Sequence, residues 1–398
     1  LKKHKLLMDP VYEEFILFER DSSLERILRS RLLQRLRYIR QLGPCYLVYP
    51  GAEHTRFQHS LGTYWLTVKL FEYLELNGFN LDDEIKLSVE VAALTHDLGH
   101  SPFSHALEGY ILPFHHEDLT QKALALLIEE ESVDRKLIES AMKILRKEHE
   151  KPFTHQMVSS QLDCDRLDYL RRDAFYTGVS FGRIDTNRIL VSANLENDRL
   201  VWSFKGLNAL ESYVMSRYQM YWAVYFHKVN LSAQVLLQKI VIRLRELLLN
   251  GEKLPIDENL ERCLKHNDLE AFFNLTDGNI TTAIYMLQKH KDEIISDLSR
   301  RFIRRELFKT VEVKPSQVIE FRERVEKLGF DHRYYFEVVE PSKVAYSYYS
   351  PKGDDVIRVK FGDRVEELSN VAPTDAVKAL SREVSKTYVV VPREFFEQ

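Results

Sequence analysis

Up to about Leu307, apolar side chains recur at the three-to-four-residue spacing of an amphipathic helix, and this periodicity confines the chain to a mainly helical fold. Between Ser23 and Gln41 they fall at Leu24, Ile27, Leu28, Leu32, Leu36 and Ile39, with arginines filling the other face, and Gly43-Pro44 ends the run. Thr55 to Leu76 reads as a helix carrying Arg56 and His59 one turn apart. Asp82 or Asp83 is the expected cap of the next helix, which runs from Ile85 to the His96-Asp97 pair. Another opens at His116, and Leu207 to Leu249 is one long helical pattern with room for a single break. Period-two exceptions are few. Phe15-Ile16-Leu17-Phe18 reads as a short strand near the N-terminus. Ile189-Leu190-Val191 and Leu200-Val201-Trp202, flanking polar Glu196-Asn197-Asp198, read as a β-hairpin. The last stretch changes character: Tyr334–Val339, Val356–Phe361 and Thr387–Val391 are β-branched and aromatic between Gly and Pro turns. The expected architecture is mostly α, with a helical domain over residues 1–308 that includes a small hairpin, then a small α+β domain over residues 309–398.

Composition narrows the functional classes. At 398 residues the chain exceeds one typical domain, and its 44% hydrophobic content supplies a substantial core. The net charge of -4 gives no global electrostatic case for nucleic acid as a partner. Three cysteines, Cys45, Cys164 and Cys263, are odd in number and form no framework, which fits a reduced, cytoplasmic setting. No apolar run approaches the ~20 residues of a membrane helix and no signal peptide is visible, so no membrane partner is expected.

Candidate chemistry concentrates in one run, Leu94-Thr95-His96-Asp97-Leu98-Gly99-His100-Ser101-Pro102-Phe103-Ser104-His105. Seven of the 14 histidines fall between His54 and His116. Neutral imidazole and carboxylate are the ligand types for Zn, Mn, Fe and Mg. A His-Asp pair at a helix end can aim both groups at one ion; a polar helix end with incidental histidines is the competing reading. Two further segments bear on the choice: His54-Thr55-Arg56-Phe57-Gln58-His59 upstream, and Asp163-Cys164-Asp165-Arg166-Leu167-Asp168-Tyr169-Leu170-Arg171-Arg172-Asp173 downstream.

With these segments the chain resembles the HD-domain metal-dependent phosphohydrolases, and within them the deoxynucleoside triphosphate triphosphohydrolase branch. The H…HD…D order is accompanied by Arg35-Leu36-Arg37-Tyr38-Ile39, Gln41-Leu42-Gly43 and Pro50-Gly51-Ala52, and the likeness covers roughly residues 9 to 245. It implies a helical HD-domain fold and assigns His59, His96, Asp97 and Asp165 as ligands of a divalent ion. That ion is a transition metal (Zn, Mn, Fe or Ni) and/or Mg. Four such ligands leave an octahedral ion two positions for water and a substrate oxygen. Proton transfer falls to His100, His105 and His116, with His116-Glu117 resembling a His-carboxylate pair in which the acid orients the ring.

The resemblance also places the nucleotide. Arg56, Arg166 and Arg217 match phosphate-binding cations, although vertebrate members of the branch carry Lys at the position of Arg166. Asp165, Tyr169 and Asp173 lie on one helix face. Tyr169 is expected against the deoxyribose, where its ring leaves little room for a 2′-hydroxyl, and Asp173 and Gln41 against the 3′-hydroxyl. Arg217, Tyr221 and Tyr225 repeat the spacing, His227 follows, and vertebrate members carry His where Tyr221 stands. The implied reaction is dNTP plus water to deoxynucleoside plus tripolyphosphate, by a chain that assembles with copies of itself. Hydrolysis of another nucleotide, such as a monophosphate or signalling nucleotide, and nucleotide sensing without turnover are the alternatives. In vertebrate relatives an Asp before the Gln-Arg-Leu-Arg-Tyr motif reads an activating guanine nucleotide. Here Gln34 and Arg37 are kept but Arg29 falls where the Asp should be, and guanidinium cannot accept from guanine N1-H and N2-H. Guanine-specific activation of that kind is therefore expected to be absent.

Overall fold

The computed structural model describes residues 3–341, 356–372, 374–380 and 386–397. The chain opens with a hairpin of β1 (His4–Asp9) and β2 (Glu14–Glu19), paired from His4↔Glu19 to Asp9↔Glu14. Alternation turns Ile16 and Phe18 into the core and leaves Phe15 and Leu17 outside. The helical stretch expected from Ser23 to Gln41 is not continuous. It divides into α1 (Ser23–Arg29), α2 (Arg31–Arg35) and a 3-10 turn over Leu36–Tyr38. Ser30 causes the break: with ψ 145 it leaves the helical region, donates Oγ–H to the Ile27 carbonyl that closes α1, and accepts the Leu33 N–H that opens α2.

Two long helices carry the motif. Thr55 and Gln58 cap α3 (Arg56–Leu76) reciprocally, and Asp82, not Asp83, caps α4 (Asp83–Thr95) by accepting from Glu84 and Ile85. After a loop come α5 (His116–Glu130), α6 (Arg135–Leu145), α7 (Pro152–Gln156) and α8 (Cys164–Thr177), the last capped by Asp163 and stopped by Gly178 at φ 78. Helix α3 packs against both α4 and α8, which brings three sequence-distant segments to one place.

The hairpin expectation needs a correction. Ile189-Leu190-Val191 ends a helix, α9 (Thr186–Val191), and the strands are β3 (Ala193–Glu196) and β4 (Arg199–Ser203). Asp185 caps α9 through the Arg188 N–H, and this local cap overrides β-branched composition. Next is α10 (Leu207–Met220), a π-helical turn over Tyr221–Tyr225, and α11 (Lys228–Leu249). The single break in the long pattern lies at Phe226-His227. Helices α12 (Glu258–His266), α13 (Leu269–Phe272), α14 (Asp277–Leu287) and α15 (Glu293–Ile303) follow.

The remainder is α+β: β5 (Lys309–Glu312), α16 (Val318–Lys327), α17 (His332–Tyr335), β6 (Glu337–Val339), β7 (Arg358–Phe361), β8 (Arg364–Glu367), α18 (Leu368–Val371), α19 (Ala376–Leu380) and β9 (Tyr388–Val391). Tyr334-Tyr335 thus belongs to a helical turn opened by Asp331, and only Glu337–Val339 of the expected Tyr334–Val339 strand is extended. Fully buried β9 is the centre of a three-stranded antiparallel sheet between β5 and β6. Strand β7 pairs in parallel with β4, Trp202↔Val359, so one four-stranded sheet, β3-β4-β7-β8, crosses the 308/309 boundary. The fold is mostly helical with small β elements. Among the described residues, no helix is long and apolar enough to cross a membrane.

Candidate active site

The end of α4, the start of α3 and the start of α8 converge. His96 caps α4 at its C-terminal end, and the chain then turns through Leu98 N–H to Thr95 and His100 N–H to Asp97. Gly99 permits this turn, because a Cβ there would collide with the His116 carbonyl and the Thr120 amide at the head of α5. Phe103 and Ser104 both adopt positive φ, 56° and 57°, an uncommon conformation for such residues. Buried Asp277, the first residue of α14, holds it by accepting the Phe103 N–H at 2.6 Å and the Arg40 N–H at 3.0 Å. Arg35 supports the same loop from below, donating to the carbonyls of His100 (3.0 Å) and Leu275 (2.7 Å).

His59 Nε2 lies 3.1 Å from His96 Nε2, 3.0 Å from Asp165 Oδ1 and 3.7 Å from Asp97 Oδ2; His96 Nε2 lies 3.3 Å from Asp97 Oδ1. Donors about 2.1 Å from one ion stand roughly 3.0–3.4 Å apart, which the His59–His96, His59–Asp165 and His96–Asp97 distances suit, while His59–Asp97 and His96–Asp165 are longer at 3.7 Å. The tautomers point the same way. His96 Nδ1 lies 2.8 Å from the Ala93 carbonyl and His59 Nδ1 2.7 Å from the Asp168 carboxylate, both acceptors, so both Nδ1 atoms carry hydrogen. Two Nε2 lone pairs then face each other beside two carboxylates, an arrangement that asks for a cation. Burial opposes charge on His59, but its hydrogen bonds to Asp165 and Asp168, with the field of Asp97, outweigh it and raise its pKa to about 10, so that without an ion a proton takes the cation's place on Nε2. Burial likewise opposes ionisation of Asp97, yet Arg56, then His96 and His100, hold it well below the carboxylate range. Arg56 Nη1 donates to Asp97 Oδ2 at 2.6 Å and Arg56 Nε to Ser104 Oγ at 2.7 Å.

Beside this cluster stand three more imidazoles. His100 and His116 stack at 4.1 Å and 13°, His105 meets both edge-on, and His100 Nε2 lies 3.1 Å from Asp97 Oδ1. Burial, then the charges of Arg56 and His116, push His100 well below the ordinary imidazole range, so it is neutral. The expected His116-Glu117 pair does not form. Glu117 points to solvent on the first turn of α5, and His116 Nδ1 is instead 2.6 Å from Glu108 Oε1. Glu108 also takes His105 Nδ1 at 2.7 Å and the His116 N–H at 2.9 Å. A helix start fans adjacent side chains apart, which is why neighbours in sequence are not partners here. Glu108 was legible only as an acid one turn after His105.

The expected nucleotide-binding residues form an adjoining wall. Tyr169 lies 6.5 Å from the His59 ring and 6.2 Å from that of Tyr225, and Tyr221 lies 5.2 Å from Tyr225. Asp173 accepts from the Tyr225 hydroxyl at 2.7 Å and pairs with His54 Nε2 at 2.7 Å, a buried partner that the sequence did not single out. Gln41 donates its backbone N–H to the His54 carbonyl, and its Oε1 is buried without a partner. Arg217 lies over Tyr221 and donates to Gln161 Oε1 at 3.0 Å; Arg166 donates to the Ser160 carbonyl at 2.5 Å. Burial opposes it, but these two arginines draw the Tyr221 phenol below its ordinary value. His227 stands apart from the histidine clusters: it caps α11 through Val229 and lies edge-on to Tyr49.

Two family models match the chain. The HD domain model matches residues 56–173, and the HD associated region model matches residues 184–333. The uncharacterized protein YwfO of Bacillus subtilis is 37% identical over 364 residues, covering 88% of this chain and 83% of that protein. The human deoxynucleoside triphosphate triphosphohydrolase SAMHD1 is 26% identical over 456 residues, 99% of this chain and 69% of the human protein. The crystal structure of a phosphohydrolase from Bacteroides thetaiotaomicron, 33% identical, superposes with a TM-score of 0.89 over 98% of this chain and 100% of that one. The chain belongs to the HD-domain family of metal-dependent phosphohydrolases.

Proposed function

We propose that the protein hydrolyses deoxynucleoside triphosphates to deoxynucleoside and tripolyphosphate. One observation carries this reading: a cluster of two imidazoles and two carboxylates suited to a divalent ion shares Asp97 with a second cluster of three imidazoles, two of them clamped by Glu108. His59, His96, Asp97 and Asp165 would hold the ion, which when bound polarises the phosphorus centre and lowers the pKa of its water. Arg56 faces the same space with a fixed guanidinium, a fit for a phosphate oxygen. Glu108 fixes the Nδ1–H tautomers of His105 and His116, so both rings present Nε2 for proton exchange with the reacting groups. Tyr169 would press on the sugar, with Asp173 and Gln41 as acceptors for the sugar hydroxyl. The relatedness to SAMHD1, named a deoxynucleoside triphosphate triphosphohydrolase, supports the triphosphate substrate.

The test is a screen of the four dNTPs, the NTPs and nucleoside monophosphates with Mn, Fe, Zn, Ni and Mg, read by chromatography of products. Tripolyphosphate from dNTPs supports the proposal. Orthophosphate from another nucleotide moves the activity to that substrate, and bound nucleotide without turnover makes the protein a sensor.

A further inference from the structure

Asp168 stands in the α8 motif between Asp165 and Tyr169 and belongs to neither ligand nor substrate set. It is 0% exposed, and four donors converge on it. His59 Nδ1 lies 2.7 Å from Oδ2, Arg172 Nε donates to Oδ2 at 2.8 Å, Arg172 Nη2 donates to Oδ1 at 2.9 Å, and the Tyr12 hydroxyl donates to Oδ1 at 2.8 Å. Tyr12 is 156 residues away, in the turn of the β1–β2 hairpin. The same Arg172, also 0% exposed in its side chain, donates from Nη2 to Asp9 Oδ2 at 2.7 Å. Asp9 ends β1, and its other oxygen accepts the Val11 and Tyr12 N–H groups that shape the hairpin turn. Gly62 on α3 makes the approach possible, because a Cβ there would overlap Asp168 Oδ1 and Arg172 Nη2.

A carboxylate so surrounded only accepts. It fixes His59 as the Nδ1–H tautomer and fixes the ring plane, so that Nε2 faces His96, Asp97 and Asp165. Three of its four contacts depend on the hairpin: one from Tyr12 directly, and two from Arg172, whose Nη2 is also held by the Asp9 charge. We infer that the N-terminal hairpin is part of the metal centre: Asp168 is a positioning residue for His59, and Tyr12 and Asp9 hold Asp168 through the Asp9–Arg172–Asp168–His59 chain. This rests on the proposed ligand set above. A hairpin that merely packed against α8 would lend the fold stability without touching metal affinity, and that difference is measurable.

The experiment uses the full chain, stripped with a chelator and titrated with Mn2+ or Zn2+ against a competing indicator, beside the unfolding midpoint of the metal-free protein. Asp168→Asn keeps the shape but removes the charge, and is expected to weaken metal binding about 10- to 100-fold. Tyr12→Phe, which removes one hydroxyl, is expected to weaken it roughly 3- to 10-fold, with metal-free unfolding within a few degrees of wild type. Asp9→Asn should fall between the two. Affinity within twofold of wild type in Asp168→Asn and Tyr12→Phe, whatever happens to the midpoint, overturns the inference. Should Asp168→Asn not fold, Tyr12→Phe alone decides. Asp165→Ala separates the two levels. If it binds metal like wild type, the ligand set is wrong and the hairpin role falls with it. If it loses metal while Asp168→Asn and Tyr12→Phe keep theirs, only the hairpin role falls.

Discussion

Replacing Glu108 with Gln tests how the three-imidazole cluster is prepared for chemistry. In the wild type both carboxylate oxygens accept: Oε2 from His105 Nδ1 at 2.7 Å, Oε1 from His116 Nδ1 at 2.6 Å and from the His116 N–H at 2.9 Å. The imidazoles in turn hold the carboxyl well below its usual range, outweighing its partial burial. Glutamine offers one oxygen and one NH2. The oxygen stays with His116, where two donors compete for it, and the NH2 then faces His105. Two donors cannot share that contact, so His105 must move its proton from Nδ1 to Nε2 or swing away. Either way a nitrogen lone pair is no longer presented to the cleft. A hydrogen bond to a charged group contributes ~1.5–3 kcal/mol, and each 1.36 kcal/mol is about tenfold in rate, so kcat should drop ~10- to 100-fold. Metal content and KM should stay within about threefold, because Glu108 touches neither the four-donor cluster nor the tyrosine wall. The assay is single-turnover dNTP hydrolysis with metal measured on the same sample. Glu117→Gln is the internal control and should turn over at close to the wild-type rate. A Glu108→Gln enzyme within threefold of wild type, or one no slower than Glu117→Gln, would refute the reasoning.

Three further outcomes are expected. Tyr169→Ala should narrow the preference for dGTP over GTP by roughly tenfold if its ring excludes the 2′-hydroxyl; equal wild-type rates on the two nucleotides rule that role out. Added GTP should not stimulate dATP hydrolysis, since Arg29 is paired with Glu25 on α1 and offers donors only; a large saturable activation lost on Arg37→Ala would show otherwise. Glu90 on α4 is pushed up to about 7 because burial disfavours its charge more than Lys86 favours it. Between its unfolded value of about 4.3 and that point the folded state binds the extra proton, so stability falls as pH rises through the window. Glu90→Gln should therefore raise the unfolding midpoint by a few degrees at pH 8 and leave it nearly unchanged at pH 4.5; no gain at pH 8 would be the contrary result.

Periodicity and caps make much of the fold legible in the sequence. Helix α3 begins after Thr55 and α5 begins at His116, as their sequences predict, because helix formation and capping are decided within a few residues. The same local rules explain the departures: Ser30 interrupts an apolar stripe that continues across it, and Asp185 makes a helix of an Ile-Leu-Val run that looks like a strand. The motif names His59, His96, Asp97 and Asp165 because ligand chemistry fixes residue type and the family fixes order. What holds the side chains of the site in place is not legible there. Glu108 replaces Glu117 as the partner of His116 and also takes His105, Asp277 pins the turn at Phe103 from 174 residues away, and Tyr12 reaches Asp168 across 156. A hydrogen bond depends on where two side chains finish in space, and sequence spacing carries that information only inside one helix or one turn. The chain by itself thus determined which side chains are candidates to bind and catalyse, while the packing of α3 against α4 and α8 decided which nitrogen of each imidazole faces the others.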